Sequence, residues 1–259
     1  MKTRISIVLF IFFTSYFAQA QNNELLQAFE GMSYTSESGG ILPYRLLKPL
    51  EYDASKKYPL VIFLHGSGER GSDNEAQLKN AVSSFLQEDI RKKYPSFVLV
   101  PQCPEGDRWS PFKEGDEAEK FWLSESPSET MKLLLELINY TQETYSIDQK
   151  RVYATGLSMG GQGTYDLLIR NPDTFAAAVV VCSFSDIREA KVIANTPIWI
   201  FHGEEDQVVP IDNARVMVNA LESVGAKLKY TEYPDTNHNS WDKAFGEEKL
   251  YSWLFKKKL

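Results

Sequence analysis

Val152-Tyr153-Ala154-Thr155-Gly156-Leu157-Ser158-Met159-Gly160 passes from a short apolar strand pattern, through a G-x-S-x-G match, into a helical pattern that begins at 159. At average Gly and Ser usage such a match arises by chance roughly 0.1 times in a chain of this size. Set between a buried strand and a helix it becomes a specific signal. A strand that reverses into a helix within a few residues holds the central serine in a strained conformation, and side chains at the flanking positions would collide. The amino end of the new helix points at the serine, so its field and the Met159 amide favour negative charge nearby.

Working outward, residues 60–64 (LVIFL) form a continuous apolar run closed by His65-Gly66, the pattern of a strand buried on both faces. Similar runs occur at 97–100, 176–181, 198–201 and, less apolar, 227–233. Helical periodicity falls between them at 75–92, 128–145, 159–170, 210–224 and 246–256. Ser126-Pro127 reads as the cap and first-turn proline of the second helix, and Asn171-Pro172 as the stop of the third. Residues 33–49 alternate in polarity around Gly39-Gly40, which predicts an antiparallel start. The whole defines an α/β class with a mainly parallel sheet covered by helices on both faces, in one domain spanning residues 21–259. Residues 101–125 break the rhythm, with Trp109, Phe112, Phe121 and Trp122 among Gly and charged residues. A connection of that length is either functional or a flap packed on the flank of the sheet.

Residues 1–20 are set apart as a signal peptide: Lys2 and Arg4 precede an apolar run at 5–13, and the stretch ends Ala18-Gln19-Ala20. Thr14, Ser15 and Gln19 interrupt it, whereas a membrane span needs about 20 apolar residues. The expectation is export to the periplasm or the extracellular space with no membrane span. Removing Lys2 and Arg4 takes the formal charge from -7 to -9. That acidity, with no basic stripe of interleaved aromatics, argues against nucleic acid as a partner. The basic run 256–258 reads as a solvated helix end beside the carbonyl pole of the macrodipole. Cys103 and Cys182 each follow a strand, about three ladder spacings apart, roughly 14 Å, too far for a bridge.

A serine hydroxyl needs a positioned base to act as a nucleophile. The chain has three histidines, and parallel strands bring His65, His202 and His238 to one sheet edge. His65 and His202 are each followed by Gly, which suits a ring packed beneath a turn. His238 lies in the slack loop Asp235-Thr236-Asn237-His238-Asn239-Ser240 and is the expected base. The acid that orients it is expected at Asp206, in the turn Asp206-Gln207-Val208-Val209-Pro210. Glu205 and Asp235 are reserves, and a helix-capping role is the competing use of Asp206. The oxyanion donors are expected at the Met159 amide and at Ser67 or Gly68 in the loop His65-Gly66-Ser67-Gly68-Glu69-Arg70-Gly71. The Glu69-Arg70 pair has no reading from sequence. No His/Cys cluster at ligand spacing calls for a metal, and no cofactor is expected. Trp109, in the irregular stretch, and Trp241, beside His238, are the candidate substrate-binding residues.

With these residues in place the chain resembles an α/β-hydrolase. The resemblance covers residues 33–257 and rests on Leu64-His65-Gly66-Ser67-Gly68-Glu69-Arg70-Gly71, Thr155-Gly156-Leu157-Ser158-Met159-Gly160-Gly161, His202-Gly203 with Asp206, and His238 with Trp241. The chain is most similar to small secreted esterases grouped with polyhydroxybutyrate depolymerases and feruloyl esterases. It is also similar to predicted peptidases that look like the catalytic domain of prolyl oligopeptidases. That resemblance implies nucleophile Ser158, acid Asp206 and base His238, and an eight-stranded sheet whose first strands are antiparallel. The chain has no room for a gating propeller, and the fifteen residues between Cys182 and Ile198 leave none for a cap domain. The implied activity is hydrolysis of a carboxylic ester through an acyl-enzyme, on a small-molecule or polymer-linked substrate, with peptide cleavage as the alternative.

Overall fold

In the computed structural model, which describes residues 23–114 and 121–259, the sheet is organised about β3 (Tyr58–Leu64), every residue of which is buried. Successive side chains of a strand point to opposite faces. Leu60, Ile62 and Leu64 accordingly enter one apolar core and Val61 and Phe63 the other. The remaining sheet strands are β1 (Phe29–Thr35), β2 (Ile41–Leu47), β4 (Phe97–Pro101), β7 (Ile147–Leu157), β8 (Ala177–Val181), β9 (Ile198–Gly203) and β10 (Leu228–Tyr233). Their order is β1-β2-β4-β3-β7-β8-β9-β10. β1 and β2 pair antiparallel, as do β2 and β4, and every pair from β4 to β10 is parallel. The eight-stranded, mainly parallel sheet is the one expected. A separate two-stranded hairpin joins β5 (Phe112–Glu114) to β6 (Phe121–Leu123).

On one face lie α2 (Glu129–Thr144), α3 (Met159–Arg170) and α5 (Ile211–Ser223), which contribute Leu134, Leu137, Leu167, Met217 and Leu221 to the first core. On the other lie α1 (Glu88–Lys93), α6 (Trp241–Gly246) and α7 (Glu248–Leu254), with Ile90, Phe245, Leu250 and Leu254 in the second. The connection from β8 to β9 holds a 3-10 turn and the single helical turn α4 (Ala190–Ile193), so no cap domain occupies it. Among the described residues no helix is long and apolar enough to cross a membrane. The signal peptide read over residues 1–20 lies outside the described residues. Cys103 and Cys182 are both free and buried, just past the ends of β4 and β8, which stand three places apart in the sheet.

Two helical expectations change. Residues 75–92 do not form one helix but the 3-10 turns Ala76–Leu78 and Val82–Leu86 followed by α1. Ala81 stands in the left-handed region at φ 63, which a continuous right-handed helix excludes, and Asn74 does so at φ 55. The cap of α2 is Ser128 rather than Ser126: its Oγ accepts the Met131 amide at 3.0 Å and donates to the Trp109 carbonyl at 2.9 Å.

The site depends on how α3 seats against the sheet. A Cβ on Gly160 would lie 1.9 Å from the Leu64 carbonyl oxygen, and one on Gly156 would lie 2.2 Å from the Gly160 oxygen. Backbone meets backbone there with no room for a methyl group. Gly160→Ala is expected to cost about 3 kcal/mol or more of unfolding free energy. Gly246→Ala, where a Cβ meets nothing within 4 Å, should stay within about 1 kcal/mol of the wild type. Urea unfolding of the two variants side by side measures the difference.

Candidate active site

Ser158 sits between β7 and α3 at φ 51, ψ -120, a conformation that non-glycine residues rarely adopt. The strain is held from two sides. The Ser158 amide donates to the Val181 carbonyl at 2.9 Å, and Ser183 Oγ donates to the Ser158 carbonyl at 2.9 Å. The next residue, Met159, is the first of α3, so its amide has no intrahelical acceptor and faces the ground beside the serine.

The loops after β9 and β10 carry the other two groups. His238 Nε2 lies 3.0 Å from Ser158 Oγ, and Nδ1 lies 2.7 Å from Asp206 Oδ2. With the carboxylate accepting from Nδ1–H, Nε2 is left to accept the serine proton. The loop reaches across because Glu205 N donates to Thr236 O at 3.0 Å and Gln207 N to Asn237 Oδ1 at 3.2 Å. Asp206 does not cap α5, which begins at Ile211 behind Pro210 and takes no side-chain bond there. Oδ1 accepts the Val208 and Val209 amides at 2.9 and 2.8 Å, which closes the turn, while Oδ2 faces the imidazole. Burial opposes its charge, yet the bonds from His202, His238, Val209 and Val208 outweigh it and hold the carboxyl far below the usual carboxylate range. The reserves Glu205 and Asp235 are exposed.

Two supports escaped the sequence reading. His202, fully buried at the end of β9, places Nε2 3.2 Å from Asp206 Oδ2 and 2.8 Å from the Val209 carbonyl. Both neighbours are acceptors, so Nε2 carries a proton and steadies the acid. The signal available was a histidine four positions before the acid, at the end of a strand. The second support is the Glu69-Arg70 pair. Glu69 is buried, takes a bond from Asn80 Nδ2 at 2.7 Å on its side chain, and accepts Gln102 Nε2 at 3.2 Å on its carbonyl. Arg70 donates to the Ser67 carbonyl at 3.0 Å and to the Asp107 carbonyl at 3.1 Å. The pair therefore braces the loop that carries Ser67 and Gly68.

That loop lies over the serine: a Cβ on Gly66 would stand 3.6 Å from Ser158 Cβ. Among the described residues the Ser67 and Gly68 amides have no acceptor, and both residues are exposed. They and the Met159 amide are available to a developing oxyanion. His65, beneath them, is neutral and structural, its Nδ1–H donating to Gly66 O at 2.6 Å and its Nε2 accepting the Cys103 amide at 2.9 Å.

The two tryptophans part company. Trp109 is a correction: it is fully buried, donates Nε1–H to the His65 carbonyl at 3.0 Å, and stacks edge-on to the His65 ring. Its indole satisfies the interior rather than presenting a surface to substrate. Trp241 is half-buried and meets His238 edge to face, with centroids 5.5 Å apart. As for a metal, the donors grouped closely enough among the described residues are Cys182, Asp206 and His238, within 4.8 Å of one another. These are the candidate acid and base plus a thiol whose pKa burial pushes up, which favours its protonated form.

The sheet order, the strained serine between strand and helix, and the loop-borne acid and imidazole at one sheet edge define an α/β-hydrolase fold. Residues 50–251 match the phospholipase/carboxylesterase family, and the chain belongs to that family. A thermostable esterase of known structure is 36% identical, with TM-score 0.83 over 91% of this chain and 64% of that one. The probable feruloyl esterase C of Aspergillus terreus is 27% identical over 178 residues, 68% of this chain and 59% of that protein. The uncharacterized peptidase YuxL of Bacillus subtilis is 24% identical over 246 residues, 81% of this chain and 35% of that protein. The chain thus spans less than two thirds of these relatives, and 24% of an uncharacterized secreted protein of Arthroderma benhamiae.

His65 supplies a pH test of this packing. Burial is the main cause that lowers its pKa to about 4 from 6.5; the Gly66 bond opposes the drop and Arg70 adds to it. The unfolded chain therefore takes up a proton first, so stability is full above about 6.5 and is lost as pH falls toward 4. Between pH 7 and 4.5 the wild type should lose roughly 2 to 3 kcal/mol more unfolding free energy than His65→Gln. Urea titrations of both proteins at the two pH values check this.

Proposed function

We propose that the protein is an exported serine carboxylic-ester hydrolase that acts through an acyl-enzyme on acyl or feruloyl esters attached to polysaccharide. The observation that carries the reading is the continuous relay from Ser158 Oγ through His238 to Asp206, at 3.0 and 2.7 Å. Ser158 Oγ attacks the ester carbonyl as its proton passes to His238 Nε2. The carbonyl oxygen becomes an oxyanion held by the Met159 amide and those of Ser67 or Gly68. Collapse breaks the acyl–oxygen bond, and the alcohol leaves with the proton from His238. Water then repeats the sequence, regenerating Ser158 and releasing the acid.

Substrate and location rest on separate supports. Phe121 stacks on Phe184 with centroids 3.9 Å apart and Phe112 adds a contact at 5.4 Å. Phe184 follows Ser183, the residue bonded to the Ser158 carbonyl, which ties this aromatic wall through the backbone to the nucleophile's turn. That wall and the feruloyl esterase relative support a flat aromatic acyl group. Export is supported by the charged, apolar and small-residue order of residues 1–20 and by the relative named as secreted. The second reading is a serine peptidase, favoured by the likeness to YuxL, since the same relay cleaves amides.

Chromogenic short-chain esters and methyl ferulate should be hydrolysed by the wild type, with Ser158→Ala slower by about a thousandfold or more. Equal rates for the two proteins would end the reading, and turnover of a peptide library without ester hydrolysis would install the second. Because Asp206 stays ionised far into acid, its carboxyl should add no proton to the acid limb of kcat/KM, which should fall with a slope of one. A slope of two would show the carboxyl titrating there.

A further inference from the structure

His238 is carried by a loop, and a base on a loop has to be held where the serine can reach it. Upstream, Thr236 is the anchor. It is buried, its Oγ1 accepts from Lys243 Nζ at 2.6 Å, and its carbonyl accepts the Glu205 amide at 3.0 Å. Gly203, at the end of β9, makes room for that seat: a Cβ there would lie 2.2 Å from the Thr236 oxygen and 2.6 Å from the Asn237 carbonyl oxygen. Downstream, the chain is caught again where the Asp242 amide reaches the Asn239 carbonyl at 3.3 Å, as α6 begins. Asn237 and His238 lie between the two anchors.

Among the described residues the backbone of His238 makes a single hydrogen bond, from its amide to Asn237 Oδ1 at 2.7 Å. The same oxygen accepts the Gln207 amide of the acid's loop at 3.2 Å. Both neighbours are donors, so Asn237 turns its oxygen and not its nitrogen toward them. The His238 ring is set by Asp206, Ser158 and the edge of Trp241, but the main chain that delivers the ring is set by Asn237.

The route of this connection matters. Gln207 follows Asp206 directly, and the next two amides, of Val208 and Val209, fix Asp206 Oδ1. Consecutive amides of one turn are thus divided between the acid and the loop of the base. Acid and base are joined once by the carboxylate–imidazole bond that the chemistry uses, and once by an amide–carbonyl bond that it does not. Asn237 is exposed and fills no core, so loss of its oxygen leaves two amides to water and no cavity. Registration is what it contributes, and a displacement of about 1 Å in a reacting constellation can lower the rate on the order of a hundredfold. We propose that Asn237 is a positioning residue of the relay, whose side-chain oxygen registers the loop of the base against the loop of the acid and so sets the reach of His238 to Ser158. The inference rests on the relay through Ser158, His238 and Asp206, and it concerns no particular acyl group.

Two variants test it: Asn237→Leu keeps the volume and removes the acceptor, whereas Asn237→Asp keeps an oxygen at the same reach. On a short-chain chromogenic ester, Asn237→Leu should lower kcat about thirtyfold and leave KM within about twofold of the wild type. Asn237→Asp should recover most of that loss. Proton NMR gives a readout that needs no turnover. The low-field signal of His238 Nδ1–H, identified by its absence from His238→Gln, should vanish in Asn237→Leu and return in Asn237→Asp. Urea midpoints of the three proteins should coincide; a midpoint that falls in step with kcat would make the residue a structural one and overturn the proposal. Unchanged kcat in Asn237→Leu, a rise in KM in place of the fall in kcat, or equal losses in the two variants would overturn it as well. So would an Nδ1–H signal indifferent to the oxygen. A wild type inert on esters whose signal still depends on Asn237 would instead overturn the esterase reading alone.

Discussion

The contact between the Gly160 backbone and the Leu64 carbonyl is the constraint from which the site follows. A helix can begin this close to the end of the central strand only if no Cβ intervenes, and the 1.9 Å clearance leaves space for a hydrogen atom alone. Once α3 is seated there, Ser158 has to make the turn in a conformation that an ordinary residue avoids. The cost is met by bonds on both sides of its backbone and by the two apolar cores beneath. Function enters as geometry: the strain lifts the hydroxyl above the sheet edge and leaves the Met159 amide free beside it.

Electrostatics then depends on a single carboxylate with divided duties. Asp206 spends one oxygen on two backbone amides of its own turn and the other on two imidazoles. The amides fix where the carboxylate stands, so its field on His238 does not depend on the mobility of a side chain. They also account for why a buried acid stays charged, since the donors together outweigh the loss of water. His202 differs from His238 although both touch Asp206. It is sealed at the strand end with Nε2–H committed, whereas His238 keeps Nε2 open toward the serine.

What could be read in the chain was whatever is encoded locally. The elbow at Ser158 is a strand, a turn and a helix in consecutive residues, and the apolar runs of β3, β7, β8 and β9 need no partner to be recognised. Chain order and loop slack were enough to choose His238 over His65 and His202. The readings that changed depend on tertiary placement. Periodicity at 75–92 is helical, but it does not reveal that Ala81 is turned into the left-handed region next to Asn80, whose amide reaches Glu69. An aromatic residue in an irregular stretch suggests a substrate contact, yet Trp109 is drawn inside, where the His65 carbonyl takes its N–H. Glu69 and Arg70 look out of place among glycines until their partners, Asn80, Ser67 and Asp107, are brought within reach by the fold.

The irregular stretch between β4 and α2 also shows how one buried charge can organise two surfaces. Asp186 binds the Leu123 amide and the Arg188 guanidinium, and nearly all of it is hidden from water. An uncompensated carboxylate in that place would cost several kcal/mol. The hairpin and the arginine are therefore held together, because each satisfies the same group. Its phenylalanines are thereby set against Phe184, and its tryptophan against Arg188 on the reverse face. A change in the spacing of β6 would shift both faces together. The two faces of the hairpin are thus geometrically coupled through one buried carboxylate.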